Sequence, residues 1–240
     1  MKNVKGNLRR HRSEAIKEDI YLGILRMIMT NELRHGQRVI EEALAKTYHV
    51  SRTPIREALF SLEKDGIIER VHGCGARVAT FTPDDVEQIY EVRKALECCA
   101  LSKAVNNLAF TGLLQLKHDL EGVDKTTDAN CSQRQKEVDL KLHKMIVDGS
   151  GNRRLISYYG NISLLTDSLK LMSYRDEEHA KEIGKQHSAI TEALLRRDAE
   201  EADKLLRHHI EDGCRNAIEV FFKKHQSWSN EPIVGKRERR

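Results

Sequence analysis

Asp139 and His143 stand four residues apart. On a helix, a carboxylate and an imidazole at that spacing point the same way, about 5–6 Å apart at Cβ. Their stripe continues through Leu142 and Ile146, which turns it toward an apolar interior. His187 shares a stripe with Ile183, Ile190 and Leu194, and His209 shares one with Ala202, Leu205 or Leu206, and Gly213. The chain holds 11 histidines, so most are incidental. His208, rotated about 100° from its neighbour, is set aside. Three inward imidazoles and one inward carboxylate need partners, because an isolated polar group is costly in an apolar core. A single divalent cation serves all four. An N3O donor set suits zinc, or nickel or manganese, and open coordination positions could accept an anion. The opposing reading makes each histidine a core residue bonded to backbone, and spacing alone does not show that the four converge.

A second chemistry lies nearer the N-terminus. Ser51 offers a cap for a helix whose inward stripe is Ile55, Ala58 or Leu59, and Leu62. Arg52 and Arg56 are four apart and share the other face, beside Thr53. Pro54 is tolerated because the first turn has no intrahelical bond for it to break. A short helix, Glu41 to Thr47, and the tight connection Tyr48-His49-Val50 come before it. That order is a helix-turn-helix, whose second helix enters the major groove by its N-terminal end. An arginine there can donate twice to guanine, and the Ser51 and Thr53 hydroxyls suit phosphate oxygens. The alternative is an ordinary solvated charged face.

These groups need elements to hold them, and 240 residues suffice for two domains. With 39% hydrophobic and 32% charged residues, neither a disordered polyelectrolyte nor a membrane bundle is expected. No run approaches the ~18 apolar residues of a membrane span; the best, Ile20 to Met29, is cut by Arg26. Lys2, Lys5, Arg9, Arg10 and Arg12 precede no apolar segment of the kind that directs export. Cys74, Cys98, Cys99, Cys131 and Cys214 lack metal-ligand or framework spacing, so reduced thiols in a cytoplasmic protein are expected. Residues 1–80 carry 15 Lys and Arg against 10 Asp and Glu, whereas residues 81–225 carry 22 against 25. A basic front joined to a slightly acidic body hints at nucleic acid for the front.

The expected fold class is mainly α, with an N-terminal winged helix-turn-helix and a C-terminal antiparallel helical bundle. The front reads as a flexible basic arm over 1–12, a helix from Ser13 or Glu14 to about Thr30, the two helices above, and a hairpin. Its strands are Ile67 to Val71 and Ala76 to Ala79, around the tip His72-Gly73-Cys74-Gly75, with Gly66 as the preceding helix stop. Thr82-Pro83-Asp84-Asp85 reads as a helix start, which places the domain boundary at 80/81. Beyond it, helical period spans roughly 83–107, 112–122, 131–149, 153–174, 177–196 and 199–225, with Asp198 and Glu201 as a further capping signal. Residues 226–240 read as a disordered tail.

The front resembles a known family. Glu32-Leu33-Arg34-His35-Gly36, Leu44-Ala45, and Ser51-Arg52-Thr53-Pro54-Ile55-Arg56-Glu57-Ala58-Leu59 are similar to the winged helix-turn-helix of the GntR family of bacterial transcription regulators. Leu62-Glu63-Lys64-Asp65-Gly66-Ile67-Ile68 and His72-Gly73-Cys74-Gly75-Ala76-Arg77-Val78 continue the pattern, so it covers residues 14–80. The resemblance implies that Arg52, Thr53 and Arg56 meet operator DNA, beside Ser51 at the helix start, and that His72 and Gly73 form the wing tip. His35 departs from it, standing where a proline is usual.

The body resembles the FCD-type ligand-binding domain of the FadR subfamily. That similarity rests on Glu91-Val92-Arg93-Lys94-Ala95-Leu96-Glu97, on Asp139 to His143, on Gln186-His187-Ser188-Ala189-Ile190, and on Asp198 to Ile210. About six helices make it more similar to the VanR-like branch. The resemblance implies a metal held by Asp139, His143, His187 and His209. Gln186 replaces a common acid and Leu142 a common aromatic. It also implies that Arg93 pairs with an effector carboxylate, for which guanidinium is well shaped. A surface ion pair with Glu97, four residues on, is the other reading of Arg93.

Together these readings point to a metabolite-responsive repressor: a homodimer on a palindromic operator, with a small organic acid as effector. The alternative is a metal-dependent enzyme fused to a DNA-binding module. Against it, no nucleophile motif or marked general base accompanies the histidines. A DNA-binding architectural protein with an inert helical body is a third option.

Overall fold

The computed structural model describes residues 2–29, 32–71, 75–124, 131–170 and 177–225. Contacts divide it into two compact units: Met1–Thr82 with Ser163–Leu171, and Pro83–Ile162 with Met172–Arg240.

The first unit runs α1 (Lys2–Met29), β1 (Arg38–Val39), α2 (Glu41–Thr47), α3 (Arg52–Lys64), β2 (Ile68–Val71) and β3 (Gly75–Val78). Ile20, Ile24 and Ile28 recur at four-residue steps on α1, and all three are buried in one cluster with Leu44, Ile55, Leu59 and Leu62. Leu164 and Leu165, from the Ser163–Leu171 stretch, pack on that cluster. The sheet is antiparallel with strand order β1-β3-β2; Arg77 of β3 stands opposite Arg38 on one side and Glu69 on the other.

The turns explain how α2 and α3 are set. His49 takes a left-handed φ of 53°. The Val50 N–H then donates to the Ala45 carbonyl at 3.0 Å, closing the α2 C-terminus. Gly66, with φ of 73°, does the same for α3: the Ile67 N–H donates to the Leu62 carbonyl at 2.9 Å. His35 stabilises its own turn, with Nδ1 2.8 Å from the Ala79 carbonyl and the ring edge-on to Phe81 at 5.7 Å.

Three features differ from expectation. α1 opens at Lys2, so residues 2–12 continue the helix instead of forming a separate arm. Gly6 opposes helix most in that stretch, and Asn3, Val4, Asn7 and His11 oppose it weakly, while Lys, Arg and Leu favour it. The sheet gains β1, whose two residues are too few to show alternation. Ser51 occupies the cap position of α3, but its side chain makes no capping bond.

The second unit is built from α4 (Pro83–Asn107), α5 (Phe110–Asp124), α6 (Cys131–Gly149), α7 (Arg153–Lys170, whose residues from Ser163 group with the first unit), α8 (Glu177–Leu195) and α9 (Ala199–His225). Helix α4 opens with Asp84 and Asp85 in its first turn, where the helix dipole favours acids. The Asp198 carboxylate accepts from the Glu201 N–H at 3.1 Å, capping α9. Arg197 donates to the Leu108 carbonyl at 2.6 Å and to that of Val105, satisfying the far end of α4. Leu101, Leu113, Leu116, Leu142, Ile146, Ile190, Leu194 and Leu206 form the apolar interior. Set into it is a polar group, Arg93, Glu97, Asp139, His143, His187 and His209, every member 4% exposed or less. No helix among the described residues is long and apolar enough to cross a membrane.

Candidate functional site

Helix α6 supplies Asp139 and His143, α8 supplies His187, and α9 supplies His209. One donor atom from each lies within 4.8 Å of the others, so the four inward residues converge. The donors close a ring. His143 Nε2 to Asp139 Oδ1 is 3.3 Å, Asp139 Oδ1 to His187 Nε2 is 3.2 Å, His187 Nε2 to His209 Nε2 is 3.3 Å, and His209 Nε2 to His143 Nε2 is 3.2 Å. Donors bound at ~2.0–2.2 Å to one zinc-sized ion stand roughly 3–3.5 Å apart, which these edges match.

The tautomers of two rings are set from outside the ring. His143 Nδ1 lies 2.6 Å from Glu97 Oε2, and Arg93 Nη2 lies 3.0 Å from His143 Nε2. A carboxylate only accepts and a guanidinium only donates, so Nδ1 carries the proton and Nε2 the lone pair. His209 Nδ1 lies 2.8 Å from Gln186 Oε1. The Gln186 amide is itself oriented by donating to Asp212 Oδ2 at 2.6 Å, so His209 also turns a lone pair inward. Burial, with His187, His143 and Arg93 as neighbours, pushes His209 well below an ordinary histidine and keeps its ring neutral. Two lone pairs therefore face each other across 3.2 Å. That is an arrangement for a cation to satisfy, and the chemistry of the donor set fits a first-row divalent metal.

Arg93 and Glu97 on α4 complete the polar group. Arg93 Nε donates to Glu97 Oε1 at 2.6 Å, and the two side chains are 1% and 0% exposed. The ion pair of the other reading is thus present, but buried rather than at the surface, and Arg93 also reaches His143. Burial alone would raise the Glu97 carboxyl; Arg93 and His143 outweigh that and hold it down at about 2. Burial likewise opposes the Arg93 charge, yet Glu97 leads the neighbours that keep it firmly protonated.

On α3, Ser51, Arg52, Thr53 and Arg56 are all exposed at its N-terminal end, while Ile55, Ala58, Leu59 and Leu62 are buried. Arg52 Nη2 donates to Glu42 Oε2 at 2.9 Å and Arg56 Nε to Glu41 Oε2 at 2.7 Å, so both guanidinium groups rest against the start of α2. His72 and Gly73, expected at the wing tip, lie outside the described residues, as do 226–240.

Sequence reasoning passed over Glu97 as a site residue, as well as Gln186, Glu41 and Glu42. The Arg93–Glu97 spacing was visible; their burial was not. Gln186 had a signal in its position directly before an inward histidine. Glu41 and Glu42 carried none, because their partners come from a different helix.

Residues 88–212 match the FCD domain model, and residues 16–78 match that of the bacterial regulatory proteins, gntR family. An uncharacterised HTH-type transcriptional regulator, YdhC of Bacillus subtilis strain 168, is 28% identical over 202 residues, 84% of this chain and 90% of the relative. The HTH-type transcriptional repressor RspR of Escherichia coli K12 is 20% identical over 219 residues, 91% of this chain and 96% of the relative. Among solved structures, E. coli McbR/YncC superposes with a TM-score of 0.67 at 20% identity, covering 88% of this chain and 98% of the other. The Zn2+-bound FCD domain of TM0439 gives a TM-score of 0.50 at 20% identity, covering 60% of this chain and 99% of the other. YdhC and RspR are named as a transcriptional regulator and a transcriptional repressor, which removes the enzyme alternative. A helix-turn-helix that reads operator DNA and an FCD body coexist in one polypeptide, and the chain belongs to the GntR family of bacterial regulatory proteins, among those that carry an FCD domain.

Proposed function

We propose that this regulator holds one divalent first-row metal ion, zinc foremost and nickel or manganese as alternatives, through Asp139, His143, His187 and His209. The carrying observation is the pair of inward lone pairs on His143 and His209, 3.2 Å apart on rings whose outer nitrogens are already engaged. The zinc-bound state of the TM0439 domain supports zinc as the first candidate. A bound divalent ion supplies a positive, Lewis-acidic anchor for a carboxylate. Beside it, Arg93 directs a guanidinium N–H at His143 Nε2. That lone pair serves either Arg93 or a cation, so in the loaded protein this N–H is available to a small organic acid.

The proposed head is residues 1–80, reading a palindromic operator as a homodimer: Arg52 and Arg56 at base edges, Ser51 and Thr53 at phosphates, His72 and Gly73 at the wing. Residues 81–225 are the proposed sensor. Effector binding biases the DNA-competent arrangement by a coupling typically of ~1–3 kcal/mol. The name of RspR supports repression as the sign of control. Elemental analysis of the purified full chain tests the centre: it is expected to show one metal per chain, and the double variant His187→Ala/His209→Ala none. Full occupancy in that variant would remove the ligand assignment.

A further inference from the structure

Glu97 has no place in the donor ring, yet it is the most completely enclosed carboxylate in the site, 0% exposed. Its two oxygens have separate tasks. Oε2 accepts from His143 Nδ1 at 2.6 Å, and Oε1 accepts from Arg93 Nε at 2.6 Å. It comes from α4, whereas Asp139 and His143 come from α6, so the contact ties a ligand to a helix that supplies none.

We infer that Glu97 is the positioning residue of this centre, fixing the His143 ring with Nε2 toward the donors while holding Arg93 beside them. The inference rests on the metal-centre reading and extends it to a residue that binds no ion. A carboxylate on the outer nitrogen of a ligating histidine sets ring orientation and tautomer and strengthens the inner nitrogen as a donor. Glu97 is suited to this because its own orientation is locked by Arg93, which leaves the carboxylate no freedom to rotate away. It is also the leading counter-charge of a cation that stands 3.0 Å from a donor atom. His209 is held differently, by the neutral Gln186 amide, so the two rings have outer partners of different charge.

The competing account makes Glu97 only the structural partner of Arg93. The two accounts separate in Glu97→Gln, which keeps the shape and removes the charge. Two readouts apply to the full chain: zinc affinity by chelator competition, and the His143 ring nitrogens by 15N NMR of the metal-free protein. Wild type is expected to show the Nδ1–H tautomer at His143. Glu97→Gln is expected to weaken that preference, which Arg93 still favours from the Nε2 side, and to bind zinc about 10–100-fold more weakly, the usual cost of removing such a partner. Should Glu97→Gln fail to fold because Arg93 is left uncompensated, Arg93→Gln/Glu97→Gln removes both charges of that pair and carries the same two expectations. An unchanged tautomer with zinc affinity within about threefold of wild type would overturn the role of Glu97 and leave the metal centre standing. A wild-type chain that binds no zinc would instead overturn the centre itself, and this inference with it.

Discussion

At the scale of single residues, Arg93, Arg52 and Arg56 divide by burial. Arg93 is 1% exposed, and its salt-bridge partner is Glu97, 2.6 Å away. A pair enclosed to that degree adds little net stability over an apolar replacement, but removing one partner is severe. Arg52 and Arg56 pair with Glu42 and Glu41 at an open surface, where such bonds are weak and exchange readily for others. Arg52→Ala should therefore leave stability within about 0.5 kcal/mol of wild type while costing about 1–3 kcal/mol of operator affinity. Base preference should relax at one operator position, which a competition assay over single-base variants reads. Equal loss on every sequence would assign Arg52 to phosphate instead. The sequence carried the types and spacing of all these residues, because i and i+4 spacing is local. It could not carry the depth of Arg93, since that depends on α6 and α9 packing over α4.

At the scale of elements, the helices were legible wherever a period was long and a stop signal stood beside it. α4, α6 and α9 begin and end at the expected residues, helped by Pro83, Gly149 and Asp198. Hairpin strands β2 and β3 were found to within a residue, whereas β1 was missed. A two-residue strand exists only because β3 offers it a partner, so no local pattern announces it. The α1 start differs for another reason: residues 2–12 mix helix formers with Asn3, Val4, Gly6, Asn7 and His11, so the pattern marks no start, yet the helix opens at Lys2. The end of α3 rests on Gly66, whose φ of 73° an L side chain adopts only at a cost. A Cβ there would sit 3.7 Å from Leu165, an ordinary contact, so the penalty is in the backbone alone. Gly66→Ala should destabilise the chain by about 1–2 kcal/mol in urea unfolding followed by circular dichroism. A change below about 0.3 kcal/mol would show that the turn relaxes at no cost.

At the scale of the whole molecule, two kinds of chemistry are carried by two compact units: guanidinium groups exposed at the start of α3, and an imidazole-carboxylate ring enclosed by α4, α6, α8 and α9. A regulator needs both, because an effector changes DNA affinity only by binding one arrangement of the protein better than the other. Convergence of the four donors is the part that sequence stripes could suggest but not establish, since each stripe reports its own helix alone. The direct measurement is a titration of a labelled fragment of the chain's own promoter with the full-length protein, repeated on bulk duplex at several salt concentrations. Each titration is made metal-loaded and chelated, with and without a panel of small organic acids. The account predicts binding to the promoter at least ~10³-fold tighter than to bulk duplex. It also predicts a shift of about 5–150-fold with an organic acid in the loaded protein, and none once the metal is removed. Equal affinity for promoter and bulk duplex under every condition, or an acid response that survives chelation unchanged, would contradict it.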